Sequence, residues 1–299
     1  MLKQTTLSLA FFVCCWSASG QLNEISAASQ PNTGYTVQRI QLSTGVQLDY
    51  AERGNNEGDP VIFLHGITDS WQSYAAVMAY LPTSIHAYAL SVRGHGNSDK
   101  PSAGYTPVQF ARDIDAFMNA LNIKSAVIVG HSMGGSIAQR FVLDFPQRVK
   151  ALVLIGSFAS FRDKPELADL NKLVSELKDP IDPAFIADFQ KSTLAKEIPA
   201  ADFNTYVSES AKVPARVWVA AMTNLMSAEY SSEYKYIMVP TLIIWGDKDM
   251  IVPEADQDKL TTGIRNSRLL IYPNTGHAVH WEQPMQFAND LINFIDKNL

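Results

Sequence analysis

Three short stretches of this 299-residue chain carry side chains that together would activate a hydroxyl as a nucleophile. The first is Gly130-His131-Ser132-Met133-Gly134. The apolar run Ala126–Val129 before it reads as a buried strand, and Ile137, Phe141 and Val142 after it have helical spacing. A Gly-x-Ser-x-Gly sequence between strand and helix puts the serine in a strained turn, lifts its hydroxyl above the sheet edge, and sets a helix N-terminus with free N–H groups behind it. The bare pattern arises by chance about once in ten proteins of this length, so its weight comes from the strand–turn–helix context. A serine hydroxyl is a weak nucleophile at neutral pH and needs a base within hydrogen-bond reach, itself oriented by a third group. Two later stretches supply candidates. Gly246-Asp247-Lys248-Asp249-Met250-Ile251-Val252-Pro253 follows the apolar run Thr241–Trp245, and Gly276-His277-Ala278-Val279-His280 follows Arg268–Tyr272. Serine, acid and histidine in this order is one of the known chain orders of a Ser-His-acid triad. On their own, Asp247 and Asp249 serve equally well as caps of the next helix.

The elements between these stretches must bring them together. Tyr35–Ile40 and Val46–Ala51 flank Ser43-Thr44-Gly45 as a hairpin; Pro60–Leu64, Ala87–Val92 and Ala151–Ile155 read as further strands. Helical spacing marks Trp71–Leu81 and Thr106–Leu121, then a helix from Glu254 and a final one over Met285–Ile295. Alternating strands and helices imply a parallel sheet covered on both faces, with ligands beyond the carboxyl ends of the strands, where all three stretches fall. The rhythm stops over 158–238. There Leu167–Leu177, Ala184–Leu194 and a segment opened by Pro214 read as three amphipathic helices, a lid inserted between core segments 21–157 and 239–299.

Residues 1–20 have the layout of a secretory signal peptide: a basic Lys3, an apolar run Leu7–Trp16, and the small residues Ser17-Ala18-Ser19-Gly20 before a cut near Gly20. The run is too short to cross a bilayer, which needs about twenty residues. Cys14 and Cys15, the only cysteines, lie within it, so the mature chain is expected to have no disulfide and no thiolate metal site. Cleavage would remove one lysine and no acid, taking the net charge from −6 to −7. An acidic chain with no basic run is a poor partner for nucleic acid or anionic membranes. The expectation is a secreted or periplasmic protein with no integral membrane segment once mature, acting on a small molecule; the oligomeric state stays open.

In its motifs the chain resembles the lid-bearing α/β-hydrolase superfamily, in the branch of esterases, cofactor-free perhydrolases and meta-cleavage-product hydrolases. The matching residues are His65-Gly66, Arg93-Gly-x-Gly-x-Ser98, Gly130-His-Ser-Met-Gly134, Gly246-x-x-Asp249-x-x-Val252-Pro253 and Gly276-His277, in order on the expected elements. The resemblance implies a mostly parallel eight-stranded sheet with helices on both faces and a helical lid after strand 6. It also implies a catalytic set of Ser132, Asp249 (rather than Asp247) and His277. His277 would take the Ser132 proton and Asp249 would hold the imidazole. The backbone N–H groups of Ile67 and Met133 would form the oxyanion hole. Trp218, Met222, Met226 and His280 are candidates for substrate contact; no metal and no cofactor is expected. His65, His95, His131 and Arg93 read as structural. The family usually has an acid two residues before the arginine; Ser91 stands there, an expected weakness in the Arg93 loop.

The resulting expectation is an acyl-enzyme hydrolase of carboxylic esters or lactones of small to medium apolar substrates. Alternatives with the same triad are a carbon–carbon bond hydrolase of β-diketone-like substrates and a cofactor-free perhydrolase. From a different class comes a ligand-binding protein or receptor on a hydrolase scaffold.

Overall fold

The structure is a computed structural model that describes residues 34–162 and 164–299. The expected export segment, residues 1–20, and its cut near Gly20 lie outside the described residues. Strands β1 (Thr36–Gln41), β2 (Gln47–Arg53), β3 (Asp59–Leu64), β4 (Ile85–Ser91), β5 (Ala126–His131), β6 (Val149–Ile155), β7 (Thr241–Gly246) and β8 (Ser267–Tyr272) form one sheet in the order β1-β2-β4-β3-β5-β6-β7-β8. The β1–β2 and β2–β4 pairs are antiparallel and every other pair is parallel.

Helices cover both faces. They are α1 (Ala75–Met78), α2 (Pro107–Ala120), α3 (Met133–Asp144), α4 (Pro165–Ser175), α5 (Pro183–Ser192), α6 (Ala200–Ala211), α7 (Ala215–Leu225), α8 (Glu254–Gly263), α9 (Val279–Glu282) and α10 (Pro284–Asn298). Successive strand side chains point to opposite faces. Ile62, Leu64 and Ile128 therefore pack with Phe110, Ile114 and Phe117 of α2 and Ile137 and Phe141 of α3. Val61, Phe63, Val127 and Val129 pack with Phe287, Leu291 and Phe294 of α10. β5 is buried along its whole length, as a central parallel strand must be. Helix α2 starts where its sequence directs: the Thr106 hydroxyl accepts from the Gln109 N–H and Pro107 takes the first helical position.

Four helices, α4 to α7, lie between β6 and β7, where the sequence pattern predicts three. The missed one, α6, reads AADFNTYVSESA; its Asn, Thr and Ser content favours turns locally, and buried Tyr206 and Ser210 hold it in place. The helix expected over Trp71–Leu81 is instead a 3-10 turn at Trp71–Tyr74 followed by the short α1. Ser70 caps that turn through the Gln72 N–H, and Tyr74, at φ −109° and ψ 3°, leaves the helical region. Among the described residues no helix is long and apolar enough to cross a membrane.

The crossing of α3 over the sheet is the tightest point in the layer. A Cβ on Gly134 would stand 2.1 Å from the Leu64 carbonyl oxygen, and one on Gly130 would stand 2.2 Å from the Gly134 oxygen. Neither neighbour is a flexible side-chain end, so the backbone itself would have to move. Gly134→Ala is therefore expected to cost about 1–3 kcal/mol or more and to lower the melting temperature by roughly 5 °C. A calorimetric shift of about 1 °C or less would show that α3 does not depend on this approach.

Candidate active site

Ser132 stands between β5 and α3 with φ 52° and ψ −113°. A non-glycine residue there is strained, and such strain persists only where the surroundings over-determine it. Here the Ser132 N–H is bound to the Ile155 carbonyl of β6, and the Ser132 carbonyl accepts from the Ser136 N–H of α3. The sharp turn places Ser132 at the mouth of the strand-end cleft, with Met133 at the first position of α3, where an amide has no intrahelical partner.

His277 comes from the loop after β8 and Asp249 from the loop after β7. The His277 Nδ1–H donates to Asp249 Oδ2 at 2.9 Å, which leaves the Nε2 lone pair free to act as a base. The other oxygen, Asp249 Oδ1, accepts from the Ile251 and Val252 N–H groups at 2.8 and 2.9 Å, so the carboxylate is fixed in orientation. Asp247 is elsewhere: its Oδ1 accepts from the Thr275 N–H at 3.4 Å and its carboxylate lies 3.7 Å from Lys248 Nζ. The structure thus brings Asp249, and not Asp247, to His277. Ser132 and His277 line one cavity. Among the described residues no hydrogen bond joins them.

Opposite Ser132 runs the loop Gly66–Asp69. Ile67 lines the cavity and its N–H makes no hydrogen bond among the described residues. Histidines hold this loop. His65 donates from Nδ1 to the Gly66 carbonyl at 2.7 Å and accepts at Nε2 from the Val92 N–H at 3.1 Å, which ties the end of β3 to the end of β4. His95 packs against its ring with centroids 5.0 Å apart and bonds the Arg93 carbonyl through Nδ1 at 2.9 Å. Arg93 makes a buried two-point ion pair with Asp113 of α2, its Nη2 to Oδ1 contact being 2.7 Å. The absence of an acid at Ser91 does not loosen this turn: the Ser91 hydroxyl bonds Asp49 and the Trp71 N–H, and the Ser91 carbonyl accepts from Ser98 Oγ at 2.6 Å.

The cavity has mostly hydrocarbon walls, with Phe158, Leu167, Leu170, Phe189, Met222 and Leu225 among them. Of the four residues expected to touch substrate, Met222 lines it and the other three do not. Trp218 is fully buried behind Phe189, whose ring it meets edge-on with centroids 5.1 Å apart. Met226 lies just past the end of α7 and packs into the core, leaving Leu225 to face the cavity. His280 is fully buried, paired through Nε2 with Ser73 Oγ at 2.9 Å and stacked on Tyr74. His131 also has a positioning role, since its Nε2–H donates to the His277 carbonyl at 3.2 Å. Four polar residues at the site were not foreseen. Asp69, Gln190 and Thr193 line the cavity, and Glu282 Oε1 accepts from the Ala195 and Gly276 N–H groups, joining the insertion to the His277 loop. Gln190 and Thr193 lie on a segment with no motif, and only the fold brings them near Ser132. Among the described residues no group of three or more His, Cys, Asp or Glu side chains is placed to hold a metal ion.

Burial keeps the supporting histidines neutral. It holds His65 and His131 well below the ordinary imidazole range, His95 at about 4 and His280 at about 3. In the unfolded chain they protonate near pH 6.5. Their contribution is therefore full above that pH and is lost as pH falls toward the folded values, at up to about 2 kcal/mol each by pH 5. Three carboxyls raised by desolvation work in the opposite direction, Asp69 to about 7 and Asp49 and Glu282 to a lesser degree, against four histidines. The melting temperature is expected to fall between pH 7 and pH 5. A flat or rising value would mean that these rings are not buried neutral.

A family model described as alpha/beta hydrolase fold matches residues 59–284. A non-heme chloroperoxidase of Streptomyces lividans is 28% identical over 276 residues, which is 86% of this chain and 98% of that protein. A 2-hydroxy-6-oxo-6-(2'-aminophenyl)hexa-2,4-dienoic acid hydrolase of Metapseudomonas resinovorans is 28% identical over 298 residues, 92% of this chain and 97% of its own length. Among solved structures, an esterase from Exiguobacterium antarcticum superposes with a TM-score of 0.79 over 87% of this chain and 100% of its own, at 23% identity, a likeness of fold. The family match runs from the first residue of β3 to the first residue of α10 and takes in Ser132, Asp249 and His277. On the sheet order, the strained serine turn and this match, the chain belongs to the α/β-hydrolase fold family.

Proposed function

We propose that this chain is an exported serine hydrolase that cleaves carboxylic esters or lactones of small to medium apolar substrates through an acyl-enzyme. The observation that carries the reading is the Asp249-oriented His277 facing the same cavity as the strained Ser132. In this reading Ser132 Oγ attacks the ester carbonyl carbon while His277 Nε2 takes its proton. The carbonyl oxygen becomes an oxyanion held by the Ile67 and Met133 N–H groups. Collapse of the tetrahedral adduct expels the alcohol, which receives the proton from His277. Water then attacks the acyl-enzyme by the same route and releases the acid. The hydrocarbon walls suit a ligand that is itself largely apolar. Helices α4 to α7 would serve as a lid, since Leu167, Leu170, Phe189, Met222 and Leu225 come from them and would shield the acyl group from water. Export, to the periplasm or beyond, rests on the layout of residues 1–20.

A second reading, hydrolysis of a carbon–carbon bond in a β-diketone-like substrate, is favoured by the likeness to the hexadienoic acid hydrolase. It uses the same nucleophile and oxyanion donors, and a ring-cleavage product offered beside the ester panel separates the two.

A fluorophosphonate is expected to label the mature protein at Ser132, located by peptide mass, and the label is expected to vanish in His277→Ala. Absence of label on folded protein would count against the whole reading and for a ligand-binding role. With nitrophenyl esters of rising chain length, Asp249→Asn is expected to lower kcat by about 10⁴ through the wrong imidazole tautomer. Asp247→Asn is expected to change it by less than about tenfold. The reverse order of effects would move the orienting acid to Asp247.

A further inference from the structure

The Ile67 amide sits in a β-turn that its own sequence does not favour. Its N–H points opposite to the Gly66 carbonyl of the same trans peptide. Two donors hold that carbonyl, the Asp69 N–H at 3.3 Å and His65 Nδ1 at 2.7 Å. The Asp69 bond closes a turn with Ile67 and Thr68 at its centre. Thr68 has φ 70° whereas Ile67 has no positive φ, which is the pattern of a type II turn. Glycine or asparagine is usual at that third position, and a β-branched residue is strained there. Left to itself, Thr68 would favour negative φ, and the peptide between Ile67 and Thr68 would turn over as in a type I turn.

The insertion supplies what holds the turn. Gln190 of α5 carries two hydrogens on Nε2. Around them stand three acceptors: Asp69 Oδ1 at 3.0 Å, Thr68 Oγ1 at 3.3 Å and Ser210 Oγ of α6. Ser210 Oγ also bonds Thr68 twice, at Oγ1 (2.9 Å) and at the carbonyl (3.3 Å). Asp69 reaches back to Gly66 through both its backbone N–H and its carboxyl, which accepts from the Gly66 N–H. The residue that Gln190 fixes is thus the one that closes the turn. Thr68, Asp69, Gln190 and Ser210 are each 5% exposed or less, so little water is at hand to replace the Gln190 donors. Gln190 borders the cavity, yet its amide nitrogen is spent on this corner.

We propose that Gln190 is a positioning residue: through Thr68 and Asp69 it keeps the Gly66–Asp69 turn in the form that aims the Ile67 N–H at the developing oxyanion. This role rests on the ester-hydrolase reading and gives the insertion a part in the reaction beyond covering the cavity. Gln190 touches no reacting atom. A misaimed donor is missed in the transition state, where the negative oxygen forms, so the loss falls on kcat rather than on KM. Glycine at position 68 makes the clamp dispensable, because glycine takes positive φ without steric cost.

A double-mutant cycle tests this, combining Thr68→Gly with Gln190→Met, which keeps the side-chain length and removes both hydrogens. Two readouts are taken on protein shown to be folded by circular dichroism. One is kcat and KM on nitrophenyl butyrate; the other is the rate of Ser132 labelling by a fluorophosphonate, whose phosphoryl oxygen occupies the oxyanion position. Gln190→Met is expected to lower kcat and the labelling rate by about tenfold or more, with KM within about threefold of the wild type. In the Thr68→Gly background the same change is expected to cost less than about threefold, a relief that a merely structural loss does not give. If Gln190→Met does not fold, Ser210→Ala removes the bond to the Thr68 carbonyl and is read against Thr68→Gly in the same way. An unchanged kcat, a change confined to KM, or an equal loss in both backgrounds overturns the positioning role. Any of these beside labelling and turnover in the wild type sinks that role alone, whereas no labelling and no turnover in the wild type sink the hydrolase reading with it.

Discussion

The site hangs on one close approach, the meeting of β5 and α3 across Gly130 and Gly134. Because neither residue has a Cβ, α3 comes close enough to the sheet for a Gly134 Cβ to have met the Leu64 carbonyl at 2.1 Å. The chain between them has no room to relax, and Ser132 is left at φ 52° with its side chain at the cleft. The strain at Ser132 is offset by the packing on either side, where Ile128, Ile137 and Phe141 lie fully buried in one apolar layer. Stability held in the core is in this way converted into a fixed position for a single oxygen.

Around that point the polar groups are arranged to leave His277 and the Gly66–Asp69 loop little freedom. Asp249 is pinned by two backbone amides and in turn pins Nδ1 of His277. His131 bonds the His277 carbonyl, and His65 bonds the Gly66 carbonyl. Both rings are buried and neutral, so each acts as a fixed donor rather than as a charge. The chemistry proposed for the chain needs one histidine that titrates in use. The others serve it because burial stops them from titrating.

The helices between β6 and β7 do more than narrow the opening. Gln190 bonds the Thr68–Asp69 corner, and Thr193 and Ala195 bond the His277 loop through Ala278 and Glu282. The Gly66–Asp69 loop and the His277 loop are therefore both tied to the same insertion. A change in how α5 sits would be felt in both loops.

Much of this was legible in the sequence, for identifiable reasons. The continuous apolar runs of β3 and β5, the Thr106-Pro107 start of α2 and the Gly-x-Ser-x-Gly turn are local consequences of burial on both faces of the sheet, capping and steric room. A reader of one dimension can see such signals, and they were enough for the sheet, its helices and Ser132, Asp249 and His277 as candidates. Only the tertiary structure separated Asp249 from Asp247 by contact, because two carboxylates two residues apart differ in what they face and not in what they are. It alone moved Trp218, Met226 and His280 off the cavity wall, since helical spacing reports that a face is buried but not which neighbour buries it. It also broke the expected Trp71–Leu81 helix and added α6, where burial of Tyr206 and Ser210 outweighs a turn-prone composition. Asp69 and Gln190 meet from positions 121 residues apart, and no local pattern encodes such a meeting; the path of the chain through the sheet and back decides it.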